Sequence, residues 1–377
     1  MSNNPSLYKK AKMRFADYLR KITYPMASAV FNAKPSSLPF KVKDRMNILF
    51  MRHDVLGDMI TTLPLFRLVK THFPNANIHV LATKSNASIL EFCEYVDRIH
   101  IVPISILGKP YKHLSTIQKL KALEFDIIIN CFTAQASQNG ILTYLISAPK
   151  SLRATIDFGS RYLCYYNALS PLAARESNMW NRMFMLGADV FGIQFHEEER
   201  IPYLPAHEMH KESALHIIND FGLQPKKFIA INISTGQARN RWTIDGYIAL
   251  ISFLKQEGYD VLLFGLESDF CIIEKLQAAF PGINYFPFKK KLAEVGMALK
   301  QALLSISPDT GFVHLATSAL VPQIILAQSN GSTIDEWSPI YIPFKKIIAD
   351  NNAFVETISP EKVIAITRDF LQEIAAS

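Results

Sequence analysis

Short apolar runs alternate with longer amphipathic segments along most of the chain, and the series occurs twice. In the first half the apolar runs predict four strands: Asn47–Met51, Asn77–Ala82, Ile99–Val102 and Asp126–Cys131. The second half predicts four more: Phe228–Ile233, Asp260–Phe264, Leu303–Ser307 and Gln323–Ala327. Apolar residues at helical spacing predict intervening helices over Met59–His72, Ile244–Glu257 and Phe270–Ala279.

Alternation of strands and helices is typical of parallel sheets that are covered by helices on both faces. Because the series occurs twice, we predict an α/β protein with two Rossmann-like domains, at residues 47–195 and 227–358. Residues 196–226 are predicted to link them, and residues 359–377 to form a C-terminal helix. Sheets of this kind bind ligands at the carboxyl ends of their strands, so the loops that follow strands are the candidate sites.

The charge of the chain is concentrated at its N-terminus. The 377 residues carry a net charge of +7, but residues 1–46 hold ten Lys or Arg and two acidic residues. The remainder has 30 basic and 31 acidic residues and no basic stripe with interleaved aromatic residues, so nucleic acid is not a predicted partner. With 49% hydrophobic and 19% charged residues, disorder is excluded for most of the chain.

Residues 1–46 are predicted to be a basic amphipathic extension and linker. Between residues 8 and 26 the apolar side chains fall on one helical stripe and the Lys and Arg side chains on its flanks. Such a helix suits an anionic inner-membrane surface, and packing on the protein body is the alternative. No run of about 18 apolar residues occurs, and the four cysteines form no CxxC pair. We therefore expect a cytoplasmic protein, peripheral on the membrane if residues 8–26 bind lipid.

The loop after the first predicted strand runs from Arg52 to Asp58. Gly57 permits a tight turn, and Asp58 lies where the next helix is expected to begin. Aspartate is a preferred helix N-cap, which alone would explain its presence. A carboxylate at the mouth of a cleft could equally act as a general base. Both interpretations of Asp58 stay open at this point.

The loop Ser234–Trp242 combines hydroxyl groups, Gly236 and two arginines between a strand and a helix. These features suit a phosphate-binding loop, because helix N-termini and guanidinium groups both attract phosphate oxygens. The alternative is an ordinary solvated loop in which Thr243 caps the following helix.

The loop Pro308–Ala316 also precedes a predicted helix. Its backbone amides around Thr310–Phe312 would face an anion held at the strand ends. His314 lies one turn into the helix, where it could reach the same ligand. A single histidine is more often a satisfied core residue, and this interpretation also stays open.

Taken in order, these loops resemble the bacterial heptosyltransferases, glycosyltransferase family 9, over roughly residues 46–375. The resemblance is carried by three motifs: Arg52-x4-Gly57-Asp58-x5-Pro64, Thr235 to Trp242, and Asp309-Thr310-Gly311-x2-His314-Leu315-Ala316 running on to Pro322. It implies a GT-B fold, in which two Rossmann-like domains face each other across a cleft. It also implies an inverting, metal-independent transferase that needs no cofactor. The expected donor is ADP-heptose, and the expected acceptor is a lipid-linked inner-core lipopolysaccharide or lipooligosaccharide sugar.

The resemblance assigns roles to individual residues. Asp58 matches the general base of the family, and Asp269, with Glu267 as its rival, is the expected contact to the donor ribose. The predicted donor-binding residues are Thr235, Gly236, Arg239, Asn240, Arg241, Asp269, Asp309, Thr310, Gly311 and His314. Because inner-core sugars are anionic, the candidate acceptor contacts are Arg52, Arg153 and Arg161.

One position departs from the family pattern. Many members carry a lysine two residues before the tryptophan, and this chain has Asn240 there. The departure leaves open a member that uses another nucleotide sugar and a non-catalytic nucleotide-sugar-binding protein. A nucleotide-sugar epimerase with two Rossmann-like domains is a further alternative. No Asp-x-Asp triplet occurs in the sequence, so no metal-binding carboxylate pair is predicted.

Overall fold

The computed structural model contains two six-stranded parallel sheets, one from each half of the chain. It describes residues 31, 34–43, 45–108, 110–133, 137–159, 164–287, 291–329, 335–350 and 353–376. The amphipathic helix predicted over residues 8–26 lies outside the described residues and stays a prediction, as do the predicted domain boundaries.

The first sheet has the strand order β3-β2-β1-β4-β5-β6. Its strands are β1 Asn47–Met51, β2 Asn77–Ala82, β3 Arg98–Ile101, β4 Ile127–Asn130, β5 Leu152–Ile156 and β6 Ala168–Ser170. The central strand β1 pairs with β2 and β4, with Ile48 opposite Ile78 on one side and Ile127 on the other. The helices of this half are α1 Leu56–His72, α2 Leu114–Lys121, α3 Ser137–Ile146, α4 Pro171–Arg175 and α5 Met179–Phe191.

The second sheet is also six-stranded and parallel, with the strand order β12-β11-β10-β7-β8-β9. Its strands are β7 Phe228–Asn232, β8 Asp260–Gly265, β9 Asn284–Pro287, β10 Leu304–Pro308, β11 Gln323–Ala327 and β12 Phe344–Ile348. The helices are α6 Glu208–Asp220, α7 Ile244–Gln256, α8 Phe270–Ala279, α9 Leu292–Lys300, α10 Gly311–Ser318 and α11 Pro360–Ala376. None of the helices in the described ranges is long and apolar enough to cross a membrane.

The prediction of two doubly wound parallel sheets is confirmed, and all eight predicted strands occur within one or two residues of their expected bounds. Four further strands were not predicted. Three of them, β6, β9 and β12, lie at sheet edges. Edge strands are often short or charged, which avoids unwanted pairing with other chains. The sequence of β12, Phe-Lys-Lys-Ile-Ile, shows such charge, so it lacks the apolar run by which the central strands were recognised.

The two halves contact each other through helices and through one loop. Helix α1 of the first half packs on α10 of the second, where Gly57 approaches Gly311. At the start of α5, the backbone N–H of Met179 donates to the carbonyl of Glu336 at 2.7 Å, and the Asn178 side chain donates to the carbonyl of Ser338 at 3.0 Å. These contacts hold the carboxyl ends of β1, β7 and β10 around one cleft.

Candidate active site

A cavity of about 1000 Å³ lies in the cleft between the two sheets. The loops after β1, β7 and β10 all contribute to its wall. Nine of the polar or glycine positions in these loops line it: Gly57, Asp58, Thr235, Gly236, Arg239, Asn240, Thr310, Gly311 and His314. The three loops that the sequence singled out therefore meet at one site, together with Asp309.

Asp58 lies at the cavity wall inside the first turn of α1. The helix begins at Leu56, its N-cap is Val55, and no side chain caps it. The interpretation of Asp58 as the N-cap is therefore wrong. Its carboxylate is 17% exposed and forms an ion pair with Arg52, Oδ1 to Nη2 at 3.3 Å. The first turn of a helix favours a negative charge, and Asp58 lies in this turn beside the cavity.

Arg52 is buried beneath the cavity, with 1% of its surface exposed. Its Nε donates to the backbone carbonyl of Asp58 at 2.9 Å, and its Nη1 donates to the carbonyl of Cys131 and forms an ion pair with Asp54 at 3.3 Å. All of these partners belong to the protein, and Arg52 does not line the cavity. These contacts do not support the predicted contact of Arg52 with the acceptor, which stays a prediction, and they show that the side chain holds Asp58 in place.

The other two predicted acceptor contacts lie elsewhere. Arg153, in β5, is 7% exposed, donates from Nε to the carbonyl of Tyr165 at 2.8 Å, and stacks over the ring of Tyr144. Its burial lowers the pKa of the guanidinium, and the side chain does not line the cavity. Arg153 is thus buried and bonded within the protein, which does not support its predicted contact with the acceptor; that contact stays a prediction. Arg161 lies outside the described residues.

Gly57 is required by the close approach of α1 and α10. A Cβ atom at this position would lie 2.6 Å from Cδ2 of His314 and 3.7 Å from Cα of Gly311. The His314 ring is buried against Trp180 and Trp337, with ring centroids at 6.1 and 5.6 Å, so it has little room to move. Gly57 lies within a helix, so the tight turn that the sequence suggested is not its role.

We expect Gly57→Ala to destabilise the protein, although alanine normally favours a helix over glycine. The added methyl group would overpack the contact with His314, at a cost of about 1–3 kcal/mol in the free energy of unfolding. Chemical denaturation measures the change. Gly236→Ala is the matched control, because a Cβ there meets nothing within 4 Å. Equal stability of the two variants would contradict the close packing of α1 on α10.

The loop after β7 offers hydroxyl, backbone and guanidinium groups to the cavity. The Thr235 hydroxyl accepts from the N–H of Gln237 at 3.2 Å and donates to its carbonyl at 3.0 Å, which closes a tight turn around the exposed Gly236. Arg239 lines the cavity and is oriented by the Gln237 side chain, Nε to Oε1 at 2.6 Å. The cap interpretation of Thr243 is confirmed, since its hydroxyl accepts from the N–H of Gly246 at 3.0 Å.

Asn240 links two loops through hydrogen bonds of its side chain. Many relatives have lysine at this position. Its Nδ2 donates to the carbonyl of Asp309 at 3.0 Å, and its Oδ1 accepts from the side chain of Gln328. The Asn240 side chain thus lines the cavity while linking the loop after β7 to the loop after β10. Of the two neighbouring arginines, Arg239 supplies a positive charge to the cavity, and Arg241 does not line it.

Arg241 is instead paired with Asp269. The ion pair has Nη2 and Oδ1 at 3.0 Å, and the other Asp269 oxygen accepts from the Ser234 hydroxyl at 2.5 Å. Asp269 is 2% exposed and does not line the cavity. The predicted contact of Asp269 with a donor ribose is not supported by this arrangement, because the carboxylate is already bound within the protein, and it stays a prediction. The rival Glu267 does not line the cavity either.

The loop after β10 presents the N-terminus of α10 to the cavity. The Thr310 hydroxyl caps this helix by accepting from the N–H of Phe312 at 3.3 Å. Asn232, at the end of β7, donates to the Ser307 hydroxyl at 2.9 Å and so fixes the loop. Burial raises the pKa of Asp309, and the charge of Lys346 opposes this effect. The site therefore has a helix N-terminus suited to an anion beside a carboxyl whose charge is disfavoured.

His314 is both a buried residue and a cavity residue. It is 6% exposed, and desolvation lowers its pKa to about 4, although the charge of Asp58 acts in the opposite direction. The imidazole is therefore neutral at pH 7. It can hydrogen-bond a ligand but supplies no positive charge.

Three charged groups of this site were not predicted. Asp54, four residues before Asp58, shares the Arg52 guanidinium with it. Lys291 and Glu91 line the cavity from opposite halves of the chain and form an ion pair at 2.8 Å. Two hundred residues separate this pair, so no local pattern could reveal it. Within the described ranges, no three His, Cys, Asp or Glu side chains are grouped so as to hold a metal ion.

Comparison with known proteins extends these observations. The sequence model of glycosyltransferase family 9 (heptosyltransferase) matches residues 113–351, well over half of the chain. Lipopolysaccharide heptosyltransferase 3 of Escherichia coli K12 is 22% identical over 351 residues, which cover 85% of this chain and 97% of the relative.

Solved structures share the fold. A family 9 glycosyl transferase from Veillonella parvula superposes with a TM-score of 0.70 at 18% identity, covering 87% of this chain and 97% of that one. The E. coli heptosyltransferase WaaC, solved with ADP-2-deoxy-2-fluoro heptose, gives 0.68 at 17% identity, covering 86% and 100%. The expected GT-B arrangement is thereby confirmed. By the family match and the shared architecture, this chain is a glycosyltransferase that belongs to glycosyltransferase family 9, the heptosyltransferase family.

Proposed function

We propose that this protein transfers a heptose from ADP-heptose to a lipid-linked inner-core lipopolysaccharide or lipooligosaccharide acceptor, with inversion and without a metal ion. One observation carries the proposal. Asp58 lies on one wall of the cavity, and the loops of the other half, with Arg239 and the N-terminus of α10, line the same cavity. A base and an anion-binding surface thus share one site, as group transfer from a nucleoside diphosphate requires.

The donor is assigned to the half of the chain that contains β7–β12. The guanidinium of Arg239 and the backbone amides at Thr310 and Gly311 are suited to a diphosphate. The solved structure of WaaC with a fluorinated ADP-heptose supports this choice of donor, since that relative shares the fold. Thr235 and Gly236 form the adjacent turn, and Gly236 leaves room for a close approach of the ligand to the backbone.

The acceptor is assigned to the opposite wall. Ser85, Ser88 and Glu91 line the cavity on the side that carries Asp58. They offer two hydroxyl groups and a carboxylate for the hydroxyl groups of a sugar. The Lys291–Glu91 ion pair closes this side against the donor half, and a bound acceptor phosphate or carboxylate would compete with Glu91 for Lys291.

The reaction then follows from the arrangement. Asp58 removes the proton from an acceptor hydroxyl, whose oxygen attacks the anomeric carbon on the face opposite the leaving ADP. The bond between this carbon and the diphosphate oxygen breaks, and its electrons leave with ADP. Arg239 and the N-terminus of α10 stabilise the negative charge that develops on the diphosphate. Because His314 is neutral, it contributes hydrogen bonding and packing and adds no charge to this stabilisation.

We expect the purified protein to release ADP from ADP-heptose only when a truncated core lipopolysaccharide is present, and excess EDTA to leave the rate unchanged. Detection of ADP, together with mass spectrometry of the lipopolysaccharide, measures the reaction. Isomerisation of the nucleotide sugar without an acceptor would favour an epimerase. Tight binding of ADP-heptose with no turnover on any core acceptor would favour a non-catalytic binding protein. Loss of activity that only a divalent ion restores would contradict metal-independent transfer.

A further inference from the structure

Two carboxyl groups share one buried guanidinium beneath the cavity. Arg52 contacts Oδ2 of Asp54 through Nη1 and Oδ1 of Asp58 through Nη2, each at 3.3 Å. Because the two contacted nitrogens belong to one guanidinium, the two carboxyl groups are neighbours. One positive charge therefore faces two neighbouring acids.

The two acids differ in their access to the cavity. Asp58 lines it, whereas Asp54 does not and has 16% of its side chain exposed. Oδ1 of Asp54 is buried and has no hydrogen-bond donor as a partner. Asp54 can therefore affect the reaction only through Asp58 and Arg52.

Among the groups that the structure describes around Asp54 and Asp58, no charged group other than Arg52 compensates the charge of these two acids. The titratable or charged groups that face or adjoin Asp54 and its partners are Arg52, Asp58, His53, Cys131 and His314. Burial lowers the pKa of both His53 and His314 to about 4 and raises the pKa of the Cys131 thiol to about 12. All three are neutral at pH 7.

A hydrogen bond between two carboxyl groups needs a proton, because an ionised carboxylate can only accept. Burial, and the nearby charge of Asp58, raise the pKa of Asp54 to about 7, while the charge of Arg52 lowers it. Two acids that interact this strongly titrate as a unit. Around neutral pH the pair therefore exchanges between a form with one shared proton and a form with none.

We propose that Asp54 is a positioning residue which couples with Asp58, so that the proton taken from the acceptor hydroxyl is shared between the two carboxyl groups. This inference rests on the function proposed above. The acceptor oxygen keeps its electron pair and forms the bond to the anomeric carbon, while its proton passes to the Asp58 carboxylate. Asp54 then shares this proton through a hydrogen bond between the two carboxyl groups.

The proposal predicts the pH dependence of transfer. The competent base is the pair without a proton, so kcat/KM should fall as the pH drops below about 7. Asp54→Asn removes one of the two acids, so the acidic limb near pH 7 should move to lower pH. Because an amide at this position cannot share the proton, the rate at pH 8 should fall at least about tenfold.

The experiment is the pH–rate profile of the full chain and of Asp54→Asn, with ADP-heptose and truncated core lipopolysaccharide as the probes. Asp260→Asn, at the exposed start of β8, is the matched control and should keep the profile unchanged. Asp54→Ser serves as a second variant that removes the carboxyl. An acidic limb that stays in place in both Asp54 variants would overturn the proposal, even where the rate falls, because a merely structural role would lower the rate without shifting the limb.

A second measurement does not depend on activity. The folded-state pKa of Asp54 is raised above its unfolded value, so its protonation stabilises the folded protein at low pH, and this contribution is lost as the pH rises through about 7. The Tm of Asp54→Asn minus that of the unaltered protein should therefore increase between pH 5 and pH 8. A Tm difference that does not change with pH would overturn the proposal of a shared proton. This result can be obtained even if no transfer activity is found.

Discussion

Asp58→Asn is expected to lower kcat for heptose transfer by about 10³-fold. The amide cannot accept the proton of the acceptor hydroxyl, and general-base catalysis typically contributes 10²- to 10⁴-fold. Asparagine has almost the same shape and keeps an oxygen for Arg52, so the fold and the donor loops should be preserved. Release of ADP under saturating donor and acceptor measures the effect.

Two controls separate catalysis from binding and folding. The affinity of the Asp58→Asn variant for ADP, measured by calorimetry, should stay within about twofold of the unaltered protein, because the donor loops lie in the other half of the chain. Asp260→Asn, far along the second sheet, should keep full activity. Near-normal turnover by Asp58→Asn would remove this residue from the role of base.

Arg52→Met is expected to lower the free energy of unfolding by about 3 kcal/mol at pH 8. Methionine fills much of the buried volume but leaves Asp54 and Asp58 without their shared positive charge, and it leaves the carbonyl of Cys131 without its donor. The loss should be smaller at pH 5, because the carboxyl pair can then take up a proton. Chemical denaturation at the two pH values measures both effects.

The matched control is Arg368→Met. The Arg368 side chain is half exposed, and its contact with Glu257 is long, at 3.9 Å, so its loss should cost less than about 1 kcal/mol at either pH. A similar, pH-independent cost for both variants would show that Arg52 contributes by packing alone. Because Arg52 also binds the Asp58 backbone, we expect transfer to fall with stability in Arg52→Met.

The central strands could be predicted because nearly all of their residues are apolar, as burial requires. Strands β1 and β4 are runs of apolar residues that are buried on both faces, and the hydrophobic pattern therefore identifies them. Strand β5 contains Arg153, which is satisfied by the carbonyl of Tyr165 and the ring of Tyr144. A buried arginine has the same sequence signal as a surface one, so both the strand and the fate of its side chain were missed.

The loops of the site could be predicted because the carboxyl ends of parallel strands meet at one edge of each sheet. The sequence could not show which residues of these loops line the cavity and which ones lie beneath it and hold the lining residues in place. Asp58 and Asp54 lie in the same loop, yet one faces the cavity and the other lies beneath it. Arg239 and Arg241 are two residues apart, and Arg241 is bound to Asp269, whose position depends on the end of another strand. Such pairings follow from tertiary packing and have no local signature.

For Gly57 and Asn240, the contacts in the structure indicate a role that the sequence did not suggest. A glycine after a strand suggests a turn, but the reason for Gly57 is the His314 ring from the other half of the chain. Asn240 departs from the family pattern, and the structure gives it a supporting role between the loops after β7 and β10. The positive charge that a lysine would bring is supplied to this cavity by Arg239 and Lys291.

The most direct test of the proposed transfer is the mass of the lipopolysaccharide core from a strain in which the gene for this chain is deleted. If the proposed transfer is correct, the core lacks one heptose together with everything attached to it. The full core should return when the unaltered gene is supplied and should stay truncated with the Asp58→Asn variant. A core of unchanged mass in the deletion strain would contradict the proposed transfer, and full restoration by Asp58→Asn would contradict the role of Asp58 as its base.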